Sequence, residues 1–197
     1  MVSIVFAGVG GQGVITVAMI IGKAAVMEER NALMTELHGM AQRGGRISVD
    51  VRIGDYRSAI IPIRSADLLV GFEELEAVRN LGKLRKDGIV ILNRRRVHPV
   101  SMTIRKMDYP DDLIREQLEK FQVIDVDADG IAFKLGNKRV ANTVMIGALH
   151  STGVLGLREE SIIRAIQGSL PDKLWEVNMK ALEEGKKIVP LQAARTK

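Results

Sequence analysis

A chain of 197 residues, 46% hydrophobic and 27% charged, is long enough to bury about two-thirds of its unfolded surface in one domain. Its net charge of +5 with only 4% aromatic residues suits an anionic partner or ligand, but lacks the stacking platforms of single-strand nucleic-acid binders. The absence of cysteine excludes disulfides and thiolate-held iron–sulfur clusters, and His38, His98 and His150 are too far apart in sequence to suggest a metal site.

Residues 2–7 form a β-branched and aromatic run that stops at glycine, as a buried strand does. The glycines interrupt any signal-peptide pattern, and no positive n-region precedes them. Residues 14–27 read as a helix, with Gly22 its weak point, and residues 33–36 as a second strand. Residues 47–53 alternate apolar and polar side chains, the mark of a half-exposed strand. A turn at Asp55 leads to a short strand at 59–63, which Pro62 confines to an edge or a bulge.

Residues 67–72 predict another strand and 73–84 a helix. A turn at Asp87-Gly88 precedes a strand at 89–92. Pro110 sits near the start of a helix over 110–120, and 123–126 is a strand leading into Asp127-Ala128-Asp129-Gly130. From Asn142 onward the chain is helical, with one helix capped at Asn142 or Thr143 and others over 159–166 and 174–187. The apolar stretch 140–157 is broken by polar residues and falls short of the about 20 apolar residues of a membrane span, so a buried helix and a cytoplasmic protein are expected.

This alternation predicts an α/β fold: a Rossmann-like, mostly parallel sheet with helices on both faces, some antiparallel strand from 47–53, and a helical C-terminal segment. Residues 1–189 form one domain, followed by a disordered tail at 190–197.

Gly8, Gly10 and Gly13 fit G-x-G-x-x-G between a strand and a helix, where bare N–H groups and the helix end favour an anion. Glu36, at the end of the second strand, stands where a dinucleotide's ribose partner would. The motif by itself leaves two readings open, phosphate contact or simple turn formation and close packing. Gln12 departs from the usual small residue, and its amide is placed to bond a ligand or a neighbouring chain. A free-standing NAD- or FAD-binding oxidoreductase is one functional reading of this turn.

The segment E-L-H-G-M-A-Q-R-G-G at 36–45 is not a Rossmann feature. Together with G-V-G-G-Q-G (8–13), A-D-L-L-V-G-F-E-E-L-E-A-V-R (66–79), Asn93, Asn142 and N-M-K-A-L-E-E-G (178–185), it resembles the small, gamma-type subunit of the 2-oxoacid:ferredoxin oxidoreductases over nearly the whole chain. H-G-M-A-Q-R-G-G is most like the indolepyruvate branch; the pyruvate and 2-oxoglutarate branches tend to carry a proline and an acid where Met40-Ala41-Gln42 stand. Glu74-Leu75 departs from the family, in which a proline often follows the acid.

The resemblance implies one subunit of an oxidoreductase, inert alone and without catalytic residues of its own. Larger subunits would hold thiamine diphosphate, magnesium and iron–sulfur clusters, coenzyme A would take the acyl group, and ferredoxin the electrons. This chain would bind none of these by itself and would shape the assembly; a homodimer is a further option, and neither nucleic acid nor membrane is expected as a partner. The turn residues Gly8, Gly10, Gly11, Gln12 and Gly13 become phosphate or partner contacts. Glu36, His38, Gly39, Gln42, Arg43, Gly44, Gly45 and Glu73 become interface residues.

Physically, Gly39, Gly44 and Gly45 allow close approach, and Arg43 offers a rigid fork of donors. His38 reads as a loop anchor and His150 as a core residue. Arg94-Arg95-Arg96, beside His98, reads as a solvated face in preference to a grip on coenzyme A phosphates. Glu73, Glu74 and Glu76 offset a helix dipole, and Trp175 belongs to the core or an interface.

Overall fold

The structure, a computed structural model, describes residues 1–39 and 44–189. The expectations for Gln42, Arg43 and the 190–197 tail lie outside them. Strand β1 (Val2–Val9) is buried along its whole length, as a central strand covered on both faces must be. There follow α1 (Val14–Met27), β2 (Ala32–His38), β3 (Arg46–Ile53), β4 (Ala66–Gly71) and α2 (Glu74–Asn80), the last running into a 3-10 turn at Leu81–Lys83. Next come β5 (Leu84–Asn93), α3 (Val100–Arg105), α4 (Asp111–Leu118), β6 (Gln122–Val126) and α5 (Ala128–Lys134). Helices α6 (Ala141–Ser151), α7 (Glu159–Gln167) and α8 (Trp175–Lys186) complete the chain.

The sheet order is β2-β3-β1-β4-β5-β6. Strands β1, β4, β5 and β6 are parallel, and β3 runs antiparallel to both β1 and β2. One face carries Ile4, Phe6, Val49, Val51, Leu68 and Val70 against α1 and α5 to α8. The other buries Val5, Ala7, Leu69 and Leu92 beneath α2 and α4. Among the described residues no helix is long and apolar enough to cross a membrane.

Several local expectations change. Residues 59–63 are not a strand: Ile61 turns inward, its N–H donating to Asp50 Oδ2 at 3.0 Å, while Ile60 and Ile63 point outward. The Asp87-Gly88 pair does not end an element but lies inside β5, where the register with β4 slips between Ala66↔Leu84 and Leu68↔Ile89. The helix expected over 73–84 stops at Asn80. Helices α3 and α5 are additions; α5 starts because the Asp127 carboxylate accepts from Gly130 N at 2.9 Å, a side-chain cap satisfying an otherwise orphaned donor.

Candidate functional site

At the C-terminal end of β1 and β4 the chain leaves in opposite directions, to α1 on one face of the sheet and α2 on the other. Open α/β sheets form their binding crevice at such a switch point. The glycine turn after β1 lies here, and so does the β2–β3 connection, because Val9 pairs with Arg46. The two glycine motifs meet directly. Gly10 N donates to Gly45 O at 2.8 Å, and Gly44 N to Gly10 O at 3.4 Å. Gly39 N closes the base of the same connection by donating to Arg46 O at 3.0 Å.

Gln12 is folded back into the turn. Its Oε1 accepts from Val9 N at 2.8 Å, while its Nε2 is buried with no partner among the described residues. Gly13 caps α1 at φ 78°, and a Cβ there would lie 2.2 Å from Asn142 Nδ2 at the start of α6. The turn is thus filled by the chain's own amides.

The ribose role for Glu36 does not survive this geometry. In a dinucleotide-binding half the acid-bearing strand lies directly beside the glycine strand; here β3 is inserted between β2 and β1. Glu36 instead faces Val49 across the hairpin and accepts from His38 Nε2 at 2.9 Å. His38 thus pairs with its neighbour on the same strand.

Glu73 is 1% exposed and engaged inside the chain, not at an open contact surface. As the cap of α2 its Oε2 accepts from Glu76 N at 2.8 Å; its Oε1 accepts from Val97 N at 3.1 Å and from the Tyr109 hydroxyl at 2.5 Å. The Tyr109 hydroxyl in turn accepts from Leu75 N at 3.0 Å. Burial and the neighbouring Glu73 carboxylate push the Tyr109 phenol well above its usual pKa. Burial also raises Glu76, against the opposing pull of its partner Arg79.

The arginine run is an ion-paired strap across this end of the sheet. Arg94 meets Asp125 at 2.7 Å, Arg95 meets Asp129 at 3.4 Å, and Arg96 bridges Glu74 at 3.1 Å and Asp111 at 3.0 Å. All three arginines remain exposed, so the run is a solvated face whose charges are paired with neighbouring carboxylates. Asn93, noted in the sequence only as part of a resemblance, joins β5 to α5: its Oδ1 accepts from Ala128 N at 3.2 Å and its Nδ2 donates to Asp129 at 3.0 Å. His150 is half-buried, and burial lowers its pKa despite Glu159 at 3.8 Å.

This end of the molecule offers hydrogen-bonding amides and glycine backbone, and among the described residues no group of three or more His, Asp or Glu is placed to hold a metal. The chain belongs to the pyruvate ferredoxin/flavodoxin oxidoreductase family, whose pattern matches residues 3–188.

It is similar to the indolepyruvate oxidoreductase subunit IorB of Methanothermobacter thermautotrophicus, 41% identical over 181 residues that cover 90% of this chain and 92% of that one. The IorB subunit of Archaeoglobus fulgidus is 40% identical over 186 residues, covering 93% and 92% respectively. Among solved structures, the pyruvate oxidoreductase subunit PORC of Thermotoga maritima superposes with a TM-score of 0.75 at 23% identity, covering 96% of this chain and 97% of that one. At that identity the likeness speaks for the fold.

Proposed function

We propose that this chain is the small, cluster-free subunit of a 2-oxoacid:ferredoxin oxidoreductase of the indolepyruvate kind, docking through the end of the sheet where its two glycine motifs meet. The observation that carries the reading is the hydrogen-bonded junction of Gly10 with Gly44 and Gly45. It brings the turn against Gly44 and Gly45 at the start of β3, although dinucleotide binding needs only the turn.

The larger subunits would carry thiamine diphosphate, magnesium and the iron–sulfur clusters, pass electrons to ferredoxin and hand the acyl group to coenzyme A. This chain's residues do not fit the clusters, since it has no cysteine. Its part is to hold and shape the assembly.

The test is co-expression of the tagged chain with the thiamine-binding subunit. The complex should co-purify and reduce viologen with indolepyruvate in preference to pyruvate or 2-oxoglutarate, while the chain alone does nothing. Failure to co-purify, or NAD binding by the isolated chain that Gly10→Ala abolishes, would restore the dinucleotide reading. Arg43→Ala should weaken co-purification without lowering the melting temperature, because a paired interface arginine commonly contributes about 2 kcal/mol or more; Arg43→Lys should rescue only part of it.

A further inference from the structure

The connection from β3 to β4 lies at the opposite end of the sheet from the glycine turn, since Ile53 pairs with Val2 at the start of β1. This loop is held rigidly. Asp50, fully buried, accepts from Ile61 N at 3.0 Å and from Lys83 Nζ at 2.8 Å on each oxygen. Arg52 donates to Ser58 O at 3.2 Å and Ile60 O at 3.3 Å. Arg64 N and Ser65 N bond Gly82 O and Lys83 O at 3.1 and 2.9 Å. Pro62 restricts the backbone between them, and Arg64 is fixed at φ 57°, a left-handed conformation that L side chains avoid unless their surroundings impose it.

What this framework presents outward is apolar. Ile60 is 62% exposed and Ile63 77% exposed, on either side of the buried anchor Ile61. Scattered exposed isoleucines need no explanation, but this pair sits on a pinned loop beside a basic cleft. The cleft, of about 420 Å³, is lined by Arg64, Lys86 and Lys120 over a floor of Leu81, Leu84 and Phe121, with no carboxylate in its lining. Arg64 and Lys86 make no ion pair among the described residues, and Lys120 meets only the exposed Glu116 at 3.4 Å.

We infer that the Ile60/Ile63 knob and the Arg64–Lys86–Lys120 cleft form a second docking surface, which receives an acidic face of a larger subunit bearing an apolar pocket. This rests on the reading that the chain works inside an oxidoreductase assembly. Charge selects the occupant. A second copy of this chain, itself at +5, would bring cations against cations, whereas an acidic face is attracted at long range and the isoleucines then fill its pocket. Rigidity favours such a role, because a loop already ordered loses little freedom on binding.

The experiment measures binding of the larger subunit to wild type, to Ile60→Ser/Ile63→Ser and to Lys86→Glu/Lys120→Glu, each at rising salt. Both pairs of side chains are exposed, so melting temperatures should stay at the wild-type value. The serine variant should weaken binding by about tenfold or more at every salt concentration. The charge-reversed variant should lose most at low salt and approach wild type as screening sets in. Wild-type affinity in both variants, with the wild-type complex still forming, would overturn this surface and leave the glycine-end reading standing. Failure of wild type itself to bind the larger subunit would overturn both.

Discussion

At the mouth of the glycine turn, Gly13 holds φ at 78° and an added Cβ would stand 2.2 Å from Asn142 Nδ2. Alanine in the left-handed region costs roughly 1–2 kcal/mol, and the clash adds to it. Gly13→Ala should therefore lower stability by about 2 kcal/mol or more, and the melting temperature by roughly 4–8 °C for a chain of this size. Adding Asn142→Ala removes the clash but not the backbone strain, so recovery in the double variant should be partial; full recovery would contradict the conformational part.

His150 offers a test by pH. Burial lowers its folded pKa below the ordinary 6.5, with Glu159 and Glu160 opposing and Lys186 assisting. The unfolded chain then takes up the proton first, so stability is lost as pH falls through about 6.5. His150→Gln should flatten the melting curve's dependence between about pH 7.5 and 5.5; an unchanged slope would reject the assignment. Gln12 was visible in the sequence as an odd residue in a glycine turn, and its amide does set the local geometry. The ribose option for Glu36 depends on strand order, and no local pattern announces that β3 lies between β2 and β1.

Between helices, α6 and α8 pack backbone to backbone. A Cβ on Gly185 would lie 2.1 Å from Val144 O, and one on Gly147 would lie 2.2 Å from Leu182 O. The helices cross backbone to backbone, and Thr143 Oγ1 adds a 2.5 Å hydrogen bond to Asn178 Oδ1. Because neither helix backbone can yield locally, Gly185→Ala should cost about 3 kcal/mol, the upper end for overpacking. The single tryptophan, Trp175, opens α8, so its fluorescence should change with the displaced helix; native-like emission and melting would show that the crossing tolerates a methyl group. The motif ending at Gly185 was readable as a pattern, but its reason was not, since the partner glycine lies on a different helix. The 59–63 segment shows the converse: its isoleucines look strand-like, yet Asp50 and Pro62 divert its backbone hydrogen bonds elsewhere.

For the molecule as a whole, apolar periodicity and glycine punctuation were enough to give an α/β sheet with helices on both faces, because each strand announces itself locally. The meeting of residues 8–13 with 36–45 was not readable by such means, being a contact made through the β2–β3 hairpin. It places Gly44 and Gly45 against the glycine turn at one end of the sheet, with the Ile60/Ile63 knob at the other. A subunit whose task is docking should reveal this in its amide protection. Hydrogen–deuterium exchange of the chain, free and bound to the thiamine-binding subunit, is the most direct measurement. The account predicts strong protection on binding across residues 8–13 and 36–45, with little change in α6 and α8. Unaltered exchange in both glycine motifs within a formed complex would contradict it.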